Sequence, residues 1–110
     1  MNKYGAKKTV VNGIMFDSKH EAERYIELKY LERIGEVRDL QLQVPFELIP
    51  AQKDEKGKTL ERAVFYIADF VYFDKDGNLV VEDAKGMKTD AYKLKKKMML
   101  YFKGIRIVEV

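Results

Sequence analysis

The sequence predicts one α/β domain spanning residues 1–110, a central β-sheet flanked by helices and preceded by an N-terminal β-hairpin. Three observations carry this. Hairpin turn chemistry occurs at Asn12-Gly13 and again at Asp74-Lys75-Asp76-Gly77. Two segments with helical apolar spacing each end at a glycine. Dense β-branched and aromatic runs fill the middle of the chain, with no low-complexity linker to divide it.

Taken in order, Thr9-Val10-Val11 and Ile14-Met15-Phe16 flank Asn12-Gly13, which supplies the positive φ angles of a two-residue hairpin turn. Ser18 precedes a helix over 19–34, in which Ala22, Ile26, Tyr30 and Ile34 recur every four residues as the expected core stripe and Gly35 provides the stop. From Val37 to Ile49 apolar residues alternate or cluster, and Pro45 interrupts the ladder, so this reads as one long irregular strand or two short ones. Residues 51–61 lack apolar periodicity and read as a solvated, mobile connection. Ala63 to Phe73 and Leu79 to Ala84 read as strands buried on both faces. Thr89 caps a second helix with Ala91, Leu94, Met98 and Tyr101 as its apolar stripe, Gly104 ends it, and Ile105 to Val110 forms a last strand.

Composition narrows the chemistry. At 46% hydrophobic and 35% charged residues the chain has the balance of a globular domain, and no apolar run is long enough for a membrane span. No apolar stretch follows the basic residues at the N-terminus, so a cytoplasmic location is expected. There is no cysteine and a single histidine, His20, which excludes disulfides, thiol nucleophiles and ordinary zinc sites. Any metal must be mainly oxygen-bound, which points to Mg2+ or Mn2+. The net charge is only +3, yet Lys85 to Arg106 holds eight basic side chains against the single acid Asp90. Such concentration suits a polyanionic partner.

The turn at Asp74 to Gly77 has the residues of a type I turn followed by a left-handed glycine, which makes a three-residue loop with a bulge. That loop sets Phe73 opposite Leu79, Val71 opposite Val81 and Asp69 opposite Asp83, with Lys85 at the next position on the same face. A two-residue turn at Asp76-Gly77 would instead bring Glu82 to the face of Asp69. Strand alternation favours Asp83, which shares a face with Lys85 whereas Glu82 does not. Two carboxylates facing each other across paired strands repel unless a cation lies between them.

Asp69 followed by Asp83-Ala84-Lys85 resembles the motif of the PD-(D/E)XK nuclease superfamily, an acid, a variable gap, then acid-x-Lys. The likeness extends to small phage and prophage endonuclease-like proteins through Phe16-Asp17-Ser18, Ile67-Ala68-Asp69-Phe70, Glu82 to Gly86, and Thr89 to Lys95. One departure is Ala68, where a proline often precedes the first acid. The resemblance implies a restriction-endonuclease-like core of mixed sheet flanked by helices. It also implies metal ligands at Asp69, Asp83 and the carbonyl of Ala84, and a catalytic lysine, Lys85, that positions or activates the attacking water. Several branches carry a helical glutamate in a Ser-x-x-Glu context, matched by Ser18-Lys19-His20-Glu21, so Glu21 becomes a third acidic ligand and catalytic residue. Ser18 to Glu21 also has the spacing of a capping box, in which Glu21 bonds the Ser18 backbone.

On the second helix Lys93, Lys96 and Lys97 share one face with Tyr92 at its edge, and with Lys88 they form the expected DNA-phosphate contacts. The expected activity is a Mg2+- or Mn2+-dependent DNA endonuclease of a phage or prophage in its bacterial host, with branched DNA as first substrate and no membrane partner. A symmetric homodimer would suit paired incisions. The alternative is a non-catalytic nucleic-acid-binding or phage assembly protein that keeps the fold, and a third reading replaces DNA by RNA.

Overall fold

The computed structural model describes residues 7–84 and 87–110. Its elements are β1 (Thr9–Val11), β2 (Ile14–Phe16), α1 (Lys19–Arg33), β3 (Val37–Ile49), β4 (Gln52–Lys53), β5 (Thr59–Glu61), β6 (Val64–Asp74), β7 (Leu79–Asp83), α2 (Asp90–Lys103) and β8 (Val108–Glu109). The main sheet has the order β3-β6-β7-β8 and is mixed: β3–β6 and β6–β7 are antiparallel, β7–β8 parallel. A parallel pair needs a crossover connection, and α2 provides it. No described helix is long and apolar enough to cross a membrane.

Local signals act where expected. Val11 pairs with Ile14 across Asn12-Gly13, both at positive φ. Ser18 Oγ accepts the Glu21 N–H at 3.1 Å and Thr89 Oγ1 accepts that of Tyr92 at 3.1 Å, each satisfying an orphan donor at a helix start. Gly77, at φ +84°, completes the central hairpin loop, in which Asp74 donates its N–H to the Asn78 carbonyl at 2.9 Å. Asp74 Oδ1 accepts the N–H groups of Asp76 and Asn78, and these bonds hold its carboxyl below the usual range.

Both expected helix stripes are corrected in part: Ala22 and Met98 meet the core, and the other expected members do not. The core side of α1 runs through Glu21, Tyr25, Leu28 and Glu32 with Ala22 at its edge, while Ile26, Tyr30 and Ile34 are 52, 54 and 52% exposed. A row stepping four residues at a time advances about 40° per step around the helix, so a row starting at the edge turns away from the core. On α2 the buried residues are Tyr92 and Met99, and Leu94 and Tyr101 face outward. Apolar residues lie on both sides of α2, and the seven-residue interval between Tyr92 and Met99 is the one that faces the sheet.

Residues 51–61, exposed apart from the half-buried Asp54, hold the β4–β5 ribbon, closed by Asp54 Oδ1 accepting from the N–H groups of Lys56 and Lys58 at 2.9 Å. β6 is buried on both faces only from Ala68 to Tyr72; Phe65, Ile67 and Phe73 are exposed because the helices cover the middle of the sheet.

The core has two parts. On the α1 side Tyr25 and Leu28 pack with Phe16, Phe70, Tyr72 and Ala84; on the α2 side Met99 and Tyr92 pack with Tyr66, Ala68, Val71 and Val81. On β3, Leu40 and Leu42 join the α1 side whereas Val44 and Phe46 join the α2 side. On β6, Tyr66 and Ala68 belong to the α2 side and Phe70 and Tyr72 to the α1 side. Residues of one parity share a face in a regular strand, so both strands turn over, β3 at Gln43 and β6 at Asp69. Gln43 is at φ +52°, which breaks the extended repeat there.

Candidate metal centre

The register of β6 and β7 follows the three-residue loop: Phe73 pairs with Leu79, Val71 with Val81 and Phe70 with Glu82. One step further Asp69 comes level with Asp83, and the Ala84 N–H donates to Asp69 Oδ2 at 2.8 Å. Asp69 is 6% exposed and Asp83 fully buried. Tyr66 reaches across from β6 and donates its hydroxyl to Asp83 Oδ2 at 2.6 Å. Burial and this bond to a carboxylate hold the Tyr66 phenol well above its usual range, so it stays a donor.

Glu82, of opposite parity, turns to the α1 side. Arg24 Nε and Nη2 donate to its two oxygens at 2.8 and 2.6 Å, and Tyr72 donates its hydroxyl to the same carboxylate. The bond to Glu82 raises the already high Arg24 pKa. This clamp holds the first turns of α1 against β7, an arrangement reinforced by the contact between His20 Nε2 and the Val110 carbonyl at 2.8 Å.

Glu21 stands on that first turn and is buried, 6% exposed, with its backbone N–H on Ser18 Oγ. The structure does not gather it with Asp69 and Asp83 into one set: among the described residues no group of three or more His, Asp or Glu side chains is placed to hold a metal ion. Lys85 lies outside the described residues. The acids left that could hold a cation are Asp69 and Asp83, with the Ala84 carbonyl next in the chain. Magnesium usually takes one or two carboxylates and completes its shell with water and substrate phosphate, so two acids fit it.

The basic residues divide. Lys88 and Lys96 form ion pairs with Glu109 Oε1 at 3.2 and 3.1 Å. Lys93 and Lys97 are exposed on α2. Tyr92, expected at the edge of the basic face, is instead buried at 4% exposure, with its hydroxyl donated to Glu109 Oε2 at 2.7 Å. The bonds from Tyr92 and Lys96, with Lys88, pull the Glu109 carboxyl down to about 2.

Four residues that the sequence reading passed over surround the acids: Tyr66, Gln43, Arg24 and Tyr72. Gln43 Nε2 donates to Asp69 Oδ1 at 3.2 Å. The sequence did hold a signal for Arg24, because Glu82, placed by parity away from Asp83 in an apolar strand, requires a cation from the flanking helix.

Fold and site define a small mixed-sheet α/β protein with a buried pair of aspartates at the middle of its sheet. Residues 1–108 match the family described as "Protein of unknown function (DUF1064)", and the chain belongs to that family. No curated protein and no solved structure matches it.

Proposed function

We propose that the protein is a metal-dependent DNA endonuclease of the PD-(D/E)XK type. The observation that carries this reading is that Asp69 and Asp83 are both buried one step past the Phe70–Glu82 pair of β6 and β7, while the sequence continues from Asp83 as acid-x-Lys into Lys85. Asp69, Asp83 and the Ala84 carbonyl would hold Mg2+ or Mn2+, which when bound polarises the phosphate and lowers the pKa of water. Tyr66 donates to Asp83 and the Ala84 N–H to Asp69, and these bonds orient the two carboxylates. By the resemblance Lys85 orients the attacking water. Branched DNA in phage recombination or replication is the substrate class the resemblance favours.

The test is cleavage of supercoiled plasmid and of a four-way junction in Mg2+, Mn2+ or EDTA, with Asp83→Ala alongside. The expected result is cutting that requires the metal and is lost in the variant; equal cutting in EDTA, or by the variant, would overturn the assignment. The absence of a three-acid cluster among the described residues favours one second reading, a non-catalytic nucleic-acid-binding or assembly protein. That reading predicts binding to the junction with no metal-dependent product.

Lys93 and Lys97 would carry phosphate contacts, because Lys88 and Lys96 are engaged by the Glu109 carboxylate, which offsets one of their two charges. The double variant Lys93→Ala/Lys97→Ala is expected to flatten the slope of log K against log salt by about 1.8, roughly 0.9 for each lost contact. Lys96→Ala is expected to change it less. Fluorescence anisotropy across a salt series measures this, and an unchanged slope in the double variant would remove the role.

A further inference from the structure

We infer that Gln43 is a positioning residue for Asp69: the left-handed backbone at the point where β3 turns over aims its carboxamide at Asp69 Oδ1 and fixes the carboxylate for a divalent cation. The inference rests on the metal reading proposed above and adds to it a residue that the acid-x-Lys motif does not contain.

Three observations meet at this residue. Gln43 is at φ +52° in the interior of a thirteen-residue strand. Glutamine, unlike asparagine or glycine, has no local reason to adopt that conformation, and residues held there cluster where a side chain must be aimed. Next, Gln43 and Asp69 lie between the Leu42–Phe70 and Val44–Ala68 pairs, at the positions where both strands change faces. A regular β3 would keep Leu42 and Val44 on one side of the sheet; the turnover sends one to each core, and Asp69 sits at the crossing. Finally, the Gln43 amide donates to Oδ1 at 3.2 Å while the Ala84 N–H donates to Oδ2 at 2.8 Å. Each Asp69 oxygen thus has one donor from a neighbouring strand, β3 on one side and the end of β7 on the other. One lone pair per oxygen is left, and the carboxylate plane cannot rotate without losing a bond. Outer partners of this kind set the direction and basicity of a ligand.

The alternative is that Gln43 serves only to let the strand turn over. Gln43→Gly separates the two roles, because glycine adopts positive φ without penalty but has no amide. Gln43→Asn tolerates the backbone and keeps a shorter amide. The experiment is a thermal-unfolding titration of the purified full chain with MnCl2 and, in parallel, MgCl2, for wild type, Gln43→Gly, Gln43→Asn and Asp69→Asn. The melting temperature of wild type is expected to rise with Mn2+, and that of Asp69→Asn to stay flat. Gln43→Gly is expected to need about tenfold more Mn2+ than wild type for the same rise above its own metal-free melting temperature, with Gln43→Asn between the two. A Gln43→Gly protein with the wild-type Mn2+ midpoint overturns the inference and leaves the metal reading standing. A wild-type protein that does not respond to either cation overturns both.

Discussion

Arg24→Ala is expected to cost about 3 kcal/mol of folding stability, near the lower end of what removing one partner from a buried ion pair costs. Glu82 is 1% exposed, and Arg24 holds both its oxygens while remaining 22% exposed itself, which is why the lower end applies. The loss arises less from the missing attraction than from a carboxylate left in the sheet between β6 and β8 with, among the described residues, the Tyr72 hydroxyl as its remaining side-chain donor. The converse variant makes the argument testable. Arg24→Met, Tyr72→Phe and Glu82→Leu together remove every polar group of the clamp, and this triple variant is expected to recover most of the loss. Guanidinium unfolding at equilibrium measures both. An Arg24→Ala protein as stable as wild type would mean that the clamp contributes nothing, and a triple variant no better than the single would mean that the loss came from the packing of the Arg24 stem instead.

The same clamp bears on the site, because Glu21 is one turn before Arg24 on the face of α1 that meets the sheet. That Glu82 needs a cation from a helix is legible from strand parity, but nothing in the local sequence picks out Arg24, fifty-eight residues away. What was legible without a structure was the part decided by local chemistry. Asn12-Gly13, Ser18, Thr89 and Gly77 act on backbone within a few residues of themselves, and the hairpin register that levels Asp69 with Asp83 follows from the Asp74–Gly77 loop alone. The helix faces were not legible, because α1 and α2 each carry apolar residues around much of their circumference and only docking onto the sheet selects Tyr25 and Leu28, or Tyr92 and Met99. The turnover at Gln43 was not legible either. No residue preference announces a left-handed glutamine in a strand, and the strand's even-numbered apolar residues read as one face when they serve two. Lys96 illustrates a third limit: its helical spacing placed it with Lys93 and Lys97, but β8, which brings Glu109 to it, is too short for its pairing to be read from periodicity.

Neutralising the two aspartates is expected to abolish cutting in both cases and to move stability in opposite directions. On the proposed reading each replacement removes a metal ligand, which forfeits several kcal/mol of charge stabilisation in the transition state, so cleavage should fall by about 10^3-fold or more. Stability separates the two because Asp83 is the more deeply buried charge, whereas Asp69 is held by a donor on each oxygen. Asp83 accepts the Tyr66 hydroxyl, and Asp83→Asn can keep that bond through its remaining oxygen while removing one of two neighbouring buried charges. Its metal-free melting temperature is expected to equal or exceed that of wild type. Asp69 accepts donors on both oxygens, from Ala84 and Gln43, so Asp69→Asn must set an amide N–H against one of them. An opposed donor in a site 6% exposed costs about 1–3 kcal/mol, enough to lower the melting temperature by several degrees. Calorimetry in EDTA reads the order directly. Asp83→Asn melting below Asp69→Asn would show that the hydrogen bonds drawn to Asp69 do not hold it, and that the repulsion between the acids is not what the metal relieves.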